Sequence, residues 1–186
     1  MGCWPWNREQ QGWPKTSLEH YGIVTPLFKN YEARFMKNDN VSINSPFIIY
    51  LVDDDWEDQE IFLDAISKID FTVELKIFAG GEELIEALNT GDKLPDLLFL
   101  DLYMPGMDGE ECLVRLREEM AFNEVPIVIY STEYDIDRIE HLFHLGASRY
   151  LRKPTAFDSL VKSLELTVSS VIRNSQGGIS VINITY

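Results

Sequence analysis

The 186-residue chain is poor in the features that would assign it cheaply. It has two cysteines, Cys3 and Cys112, too few for a disulfide framework, and its three histidines show no zinc-ligand spacing. Basic residues are scarce, 16 Lys and Arg against 31 Asp and Glu, which leaves a formal net charge of −15. Nucleic-acid affinity rests on a basic footprint, so a phosphate-tracking surface is excluded, and most of this acidity serves solubility. No run approaches the roughly 18 apolar residues of a membrane span, and the N-terminus lacks the layout of a signal peptide. Met1-Gly2-Cys3 invites N-myristoylation, but Trp6 stands where that pattern wants Ser or Thr. Internal repeats, low-complexity tracts and a glycine-rich phosphate loop are also missing. The expectation is a cytoplasmic protein with neither a membrane nor a nucleic-acid partner. A hydrophobic content of 45% is enough for one ordinary domain with an appendage.

Residues 1–46 differ from the rest: they hold three of the four tryptophans, several prolines and no sustained apolar period. A flexible or loosely docked arm is expected, with an aromatic docking peptide as the sharper reading. The polar stretch Met36-Lys37-Asn38-Asp39-Asn40 makes Met36 an alternative start. From Phe47 onward, apolar strands alternate with segments of helical period, the pattern of a parallel α/β sheet, and the domain is expected over 47–174. Strands are predicted at Phe47–Val52, Val73–Phe78, the run ending at Asp101, Pro126–Ser131 and Ala147–Arg152. The intervening helices should bury Ile61, Phe62, Ala65, Ile66 and Ile69; then Leu84, Ile85 and Leu88, closing near Gly91; then Cys112, Leu113, Leu116 and Met120; then Ile136, Ile139 and Phe143. A last helix uses Phe157, Leu160, Val161, Leu164, Val168 and Val171 and ends before Gly177-Gly178. The tail, 175–186, has strand composition with three open fates: adding to an edge, pairing with another copy, or disorder.

The strand ends carry the chemistry. The apolar run Leu97-Leu98-Phe99-Leu100 closes on Asp101 and then turns at Pro105-Gly106, and Phe47–Val52 closes on Asp53-Asp54-Asp55. Ligands of open α/β sheets bind in the crevice at the carboxyl ends of the strands. Taken singly, Asp101 is as well read as a solvated turn residue and Asp53–Asp55 as helix caps, a role that suits Asp55 and also Asp58. Together, at least three carboxylates at one sheet edge repel one another unless a cation is shared, and an all-oxygen set suits magnesium. Ser131 ends the fourth predicted strand with a hydroxyl, and Lys153 follows the fifth directly before Pro154. The set supplies metal ligands, a carboxylate nucleophile and two groups for phosphoryl oxygens.

Val52-Asp53-Asp54-Asp55, Leu100-Asp101-Leu102-Tyr103-Met104-Pro105-Gly106-Met107-Asp108-Gly109, Ile129-Tyr130-Ser131-Thr132, Gly146-Ala147-Ser148 and Lys153-Pro154 occur in that order. The chain thereby resembles a receiver domain of the two-component response-regulator family over about Phe47 to Ile172. The resemblance implies a flavodoxin-like (βα)5 doubly wound sheet with strand order 2-1-3-4-5. It implies a cis Lys153–Pro154 peptide. It also implies that Asp101 is the phosphoacceptor, with Asp54, Asp101 and the Tyr103 backbone carbonyl holding Mg2+ and Asp53 acting mainly through water. Lys153 and the metal would neutralise the transferred group, Ser131 would bind the product phosphate, and Tyr150 would be the aromatic that follows that switch. Tyr103, Thr132 and Glu133 depart from the common residues around the phosphate. They bear on phosphate lifetime, Tyr103 by covering the phosphorus and Glu133 by its charge.

The implied function is a stand-alone regulator with no output domain after the last helix. It would be phosphorylated by a sensor histidine kinase or a histidine phosphotransfer protein and act on an unknown downstream protein as relay, sink or effector. A phosphorylation-dependent homodimer is left open, and the only catalysis expected is of its own phosphoryl transfer and dephosphorylation. The alternatives are a non-phosphorylated interaction scaffold on the same fold and a flavodoxin-like cofactor carrier. The three acids after the first strand, which would repel a cofactor phosphate, weigh against the carrier.

Overall fold

The computed structural model describes residues 46–173 and 180–182. The expected arm over 1–46, Pro46 aside, lies outside the described residues, as do the alternative start at Met36 and most of the tail. The described chain runs β1 (Phe47–Val52), α1 (Trp56–Ile66), β2 (Val73–Phe78), α2 (Gly81–Asn89), β3 (Leu97–Leu100), α3 (Gly109–Glu118), a 3-10 turn (Met120–Phe122), β4 (Ile127–Ser131), α4 (Ile136–His144), β5 (Arg149–Arg152), α5 (Phe157–Arg173) and β6 (Ser180–Ile182). All strand pairs are parallel, in the order β2-β1-β3-β4-β5-β6. The expected 2-1-3-4-5 sheet is present. Of the fates open to the tail, the structure shows addition to an edge: β6 pairs with β5, Tyr150 opposite Val181.

Every residue of β3 and β4 is buried, because helices cover both faces of the sheet and successive side chains point to opposite sides. On one face Tyr50, Val52, Leu98 and Leu100 meet Leu84, Cys112, Leu113, Leu116 and Leu142 from α2, α3 and α4. On the other, α1 packs beside α5, and Phe62 sets its ring edge-on to Phe99 with centroids 5.0 Å apart. Burial pushes the Cys112 thiol up to about 12, so it behaves as an inert core residue.

Several expected core positions are corrected. Met120 is 84% exposed, because α3 stops at Glu118 and the chain turns before Met120 can follow the helical period. Ile61, Ile136 and Phe157 are exposed too, each at the margin or first turn of a buried stripe carried by its neighbours Phe62, Ile139 and Leu160. Leu142, Ser163 and Thr167 are buried where no such expectation existed. The hydroxyls of Ser163 and Thr167 are satisfied by donating to carbonyls one turn back, Ser159 and Ser163, both at 2.7 Å.

Arg117 ties two connections, α3–β4 and α4–β5, to α3. Its Nε donates to Gly146 O at 2.9 Å and its Nη1 to Val125 O at 3.0 Å and to Phe122 O, while Nη2 reaches Ser148 Oγ at 3.4 Å. Burial pulls this guanidinium's pKa down, which marks how far it has left water. Arg117→Ala strands those carbonyls and is expected to cost about 3 kcal/mol of stability in urea unfolding. A loss below about 1 kcal/mol would mean that water replaces the guanidinium at all of them.

Candidate functional site

The parallel ladder continues past the strands and fixes the residues that follow them. Asp101 N–H donates to Val52 O at 2.9 Å, Asp53 N–H to Phe78 O at 3.1 Å, and Lys153 N–H to Ser131 O at 2.8 Å. Four strand ends are thus held in one crevice. The carboxylates of Asp53, Asp54 and Asp101 each offer an oxygen within 4.8 Å of the other two. Lys153 Nζ lies 2.8 Å from Asp53 Oδ2 and 3.5 Å from Asp101 Oδ1. The Tyr130 ring stands beneath this ammonium, 5.2 Å to its centroid. The Lys153–Pro154 peptide is trans, with no cis bond among the described residues, which corrects the expectation from family resemblance. Trans is the lower-energy isomer by about 0.5–1 kcal/mol for an X–Pro bond, and the lysine reaches Asp53 without the other.

The electrostatics are those of an under-neutralised acidic site. Burial pushes the Asp101 carboxyl up to about 6; Lys153 opposes this and Asp53 adds to it. Asp53 is also raised by burial, against the Lys153 hydrogen bond. Burial alone would lower Lys153, but its hydrogen bonds to Asp53 and Asp58 raise it on balance, so it is an ammonium at any physiological pH. Three carboxylates against one ammonium leave excess negative charge facing an opening where Asp54 is exposed. An all-oxygen donor set with a solvent-facing member fits a hard divalent cation that keeps several waters.

Ser131 is fully buried at the end of β4, and its Oγ accepts a long hydrogen bond of 3.4 Å from Glu133 N–H. Tyr150 is turned inward, its hydroxyl donating to Glu133 O at 2.6 Å. Burial pushes the Tyr150 phenol up to about 12, with the neighbouring Ser131 hydroxyl acting the other way. Thr132 is exposed. Tyr103 is 55% exposed, and its hydroxyl donates to the Glu133 carboxylate, so two of the three departures from the common pattern bridge the ends of β3 and β4.

Two sets of residues were missed by the sequence reading. Asp58, expected only to help cap a helix, spends its carboxylate on Lys153 at 2.8 Å, while Asp55 does the capping by accepting from Glu57 N–H. The available signal was its place on the first turn of α1, where side chains lean back toward the strand end. Glu133 also stands 3.6 Å from Arg138 Nε, and Arg138 Nη2 reaches Glu110 at 3.4 Å, which meets His141 Nε2 at 3.1 Å. That chain of polar contacts joins the site's rim to α3 and α4. No local pattern announces a contact between residues about 30 apart.

A doubly wound parallel sheet with clustered acids, a hydroxyl and an ammonium at its carboxyl edge defines a receiver-type signalling domain rather than a classical enzyme. The comparisons agree. The response regulator receiver domain model matches residues 49–165, and the chain belongs to that family. FilR2 of Methanothrix harundinacea, a probable methanogenesis regulatory protein, is 27% identical over 131 residues, covering 68% of this chain and 84% of that protein. The DNA-binding transcriptional regulator NtrC of Escherichia coli is 32% identical over 122 residues, but that match spans 66% of this chain and only 25% of NtrC. Among solved structures, the Mn(2+)-bound form of response regulator Rcp1 superposes with a TM-score of 0.60 at 25% identity, covering 67% of this chain and 93% of Rcp1. Receiver domains bind Mg2+ at an acidic site and interact with histidine kinases and phosphotransfer proteins. In this chain Asp53, Asp54 and Asp101 form an acidic cluster.

Proposed function

We propose that this chain is a receiver phosphorylated on Asp101 by a histidine kinase or a histidine phosphotransfer protein, with output by phosphorylation-dependent protein contact or by relay. The observation that carries the reading is the meeting of Asp101, Lys153 and the Asp53–Asp54 pair in one crevice, with Lys153 Nζ 3.5 Å from the Asp101 carboxylate. An Asp101 carboxylate oxygen attacks the phosphorus in line as the P–N bond to the donor histidine breaks and its imidazole leaves, and Lys153 takes up charge on the transferred oxygens. Asp54, Asp101 and the Tyr103 backbone carbonyl would hold Mg2+, which would supply further charge neutralisation at those oxygens. Asp53 has one oxygen on Lys153 and the other on Asp55 N–H, at 2.8 and 3.0 Å, which supports its acting through water while the exposed Asp54 binds directly. Ser131 binds the product phosphate, and Tyr150, packed beside it and paired with Val181, carries the change to the β5–β6 edge.

Treating the full chain with acetyl phosphate and Mg2+ and weighing it intact tests the reading: the expected result is one acid-labile phosphoryl group. A chain that takes none, yet still binds a partner, would be the interaction scaffold.

The phosphate is expected to be long-lived. Tyr103 donates its hydroxyl to Glu133, which stands beside Arg138, and a ring so held at the end of β3 would screen the phosphorus from an in-line water. Tyr103→Asn is expected to speed loss of the phosphate about tenfold, a barrier change of about 1.4 kcal/mol. Decay of the phosphorylated variant no faster than that of wild type would reject the occlusion.

A further inference from the structure

Lys153 has a second anchor that the phosphoacceptor reading does not require. Its ammonium has three donors, and two are committed at 2.8 Å, one to buried Asp53 and one to Asp58. Asp101 Oδ1, at 3.5 Å, lies beyond the roughly 2.7–2.9 Å of a charge-assisted hydrogen bond. The lysine is therefore drawn to the β1–α1 side of the crevice, away from the nucleophile it must serve. The two anchors differ. Asp53 is fully buried, whereas the Asp58 side chain is 36% exposed on the first turn of α1. An ion pair that water reaches is cheap to open and a buried one is not, so the Asp58 contact is the one that yields when new charge arrives at Asp101.

We propose that Asp58 is a positioning residue that holds Lys153 off Asp101 in the unphosphorylated chain, so that a phosphoryl group must compete with it for the ammonium. The proposal rests on Asp101 being the phosphoacceptor. Asp58 then sets how readily the site takes a phosphoryl group without touching that group itself. Its removal leaves Lys153 with one strong anchor and a free donor, already beside Asp101.

The test is calorimetric titration of the full chain with beryllofluoride in Mg2+, comparing wild type, Asp58→Asn, Lys153→Ala and the double variant. Asp58→Asn keeps the side chain's shape and removes its charge. It is expected to tighten binding by about threefold to tenfold. In the Lys153→Ala background the same change is expected to be silent, because there is no ammonium to release. Equal tightening in both backgrounds would mean that Asp58 acts only by repelling the anion, and would overturn the proposal. Unchanged or weaker binding in the chain that retains Lys153 would overturn it as well, leaving the Asp101 reading intact if wild type binds. Wild type that fails to bind beryllofluoride would overturn both.

Discussion

Asp101→Asn is expected to reduce phosphate incorporation from acetyl phosphate to background, and at the same time to stabilise the metal-free protein. The first half follows from geometry. Asp101 alone combines a carboxylate beside Lys153, a share in the Asp53–Asp54 cluster and a position at the end of β3 near buried Ser131. Asp53 has both oxygens engaged, and Asp54 is exposed, with no Lys153 contact to neutralise a transferred group. Neither can replace it. Full labelling of the variant, mapped to another residue, would sink the assignment.

The second half follows from the same carboxylate's titration. Its pKa is about 6 in the fold against about 3.9 in the unfolded chain, so between those values the folded state binds more protons. The contribution of Asp101 to stability therefore falls as pH rises from about 4 to about 6 and stays lower above, by something on the order of 2 kcal/mol. Burial is the largest cause, and it outweighs the attraction of Lys153 at 3.5 Å. Asn removes the buried charge, and Lys153 keeps Asp53 and Asp58. In EDTA at pH 7 the variant is expected to unfold at a higher urea concentration than wild type, with the gap closing below pH 4. Identical curves at both pH values would show that Asp101 carries no strain.

The strands were legible because each is an apolar run bounded by turn residues; Phe47–Val52 and Val73–Phe78 match to the residue. Asp53, Asp101, Ser131 and Lys153 were legible for a related reason, since a polar group ending a buried run has few roles there besides the crevice. Helix limits were not, because period says which face is buried and not where the helix stops, and Met120 shows the result. The partner of a surface charge was equally hidden. Asp58 fits a capping position in its local sequence, and only the fold brings it to a lysine 95 residues later. The cis peptide was carried by resemblance, and no property of these residues demanded it.

Gly109→Ala is expected to cost at least about 3 kcal/mol and to abolish phosphorylation, although its site lies outside the carboxylate cluster. A Cβ at Gly109 would stand 2.0 Å from the Asp101 carbonyl oxygen, 2.8 Å from Leu102 Cα and 2.9 Å from the Asp101 carbonyl carbon. Ordinary contacts between carbon atoms lie near 3.5–4.0 Å, and all three obstacles are backbone, so no rotamer relieves them. Gly106 is the informative contrast. It has φ +79°, and its Cβ would meet Glu82 Oε1 at 2.7 Å, the movable end of a side chain. Ala there should cost only about 1–2 kcal/mol for the left-handed backbone. Gly109 leaves no such escape, because its N–H donates to Leu102 O at 3.0 Å and α3 begins there, with Cys112, Leu113 and Leu116 in the core. Relief requires either lifting that helix and opening the core, or displacing the Asp101 backbone and with it the carboxylate. Urea unfolding and acetyl phosphate labelling of both alanine variants separate the cases. A Gly109→Ala protein that unfolds within about 1 kcal/mol of wild type and labels at the same rate would show that α3 does not bear on the Asp101 carbonyl.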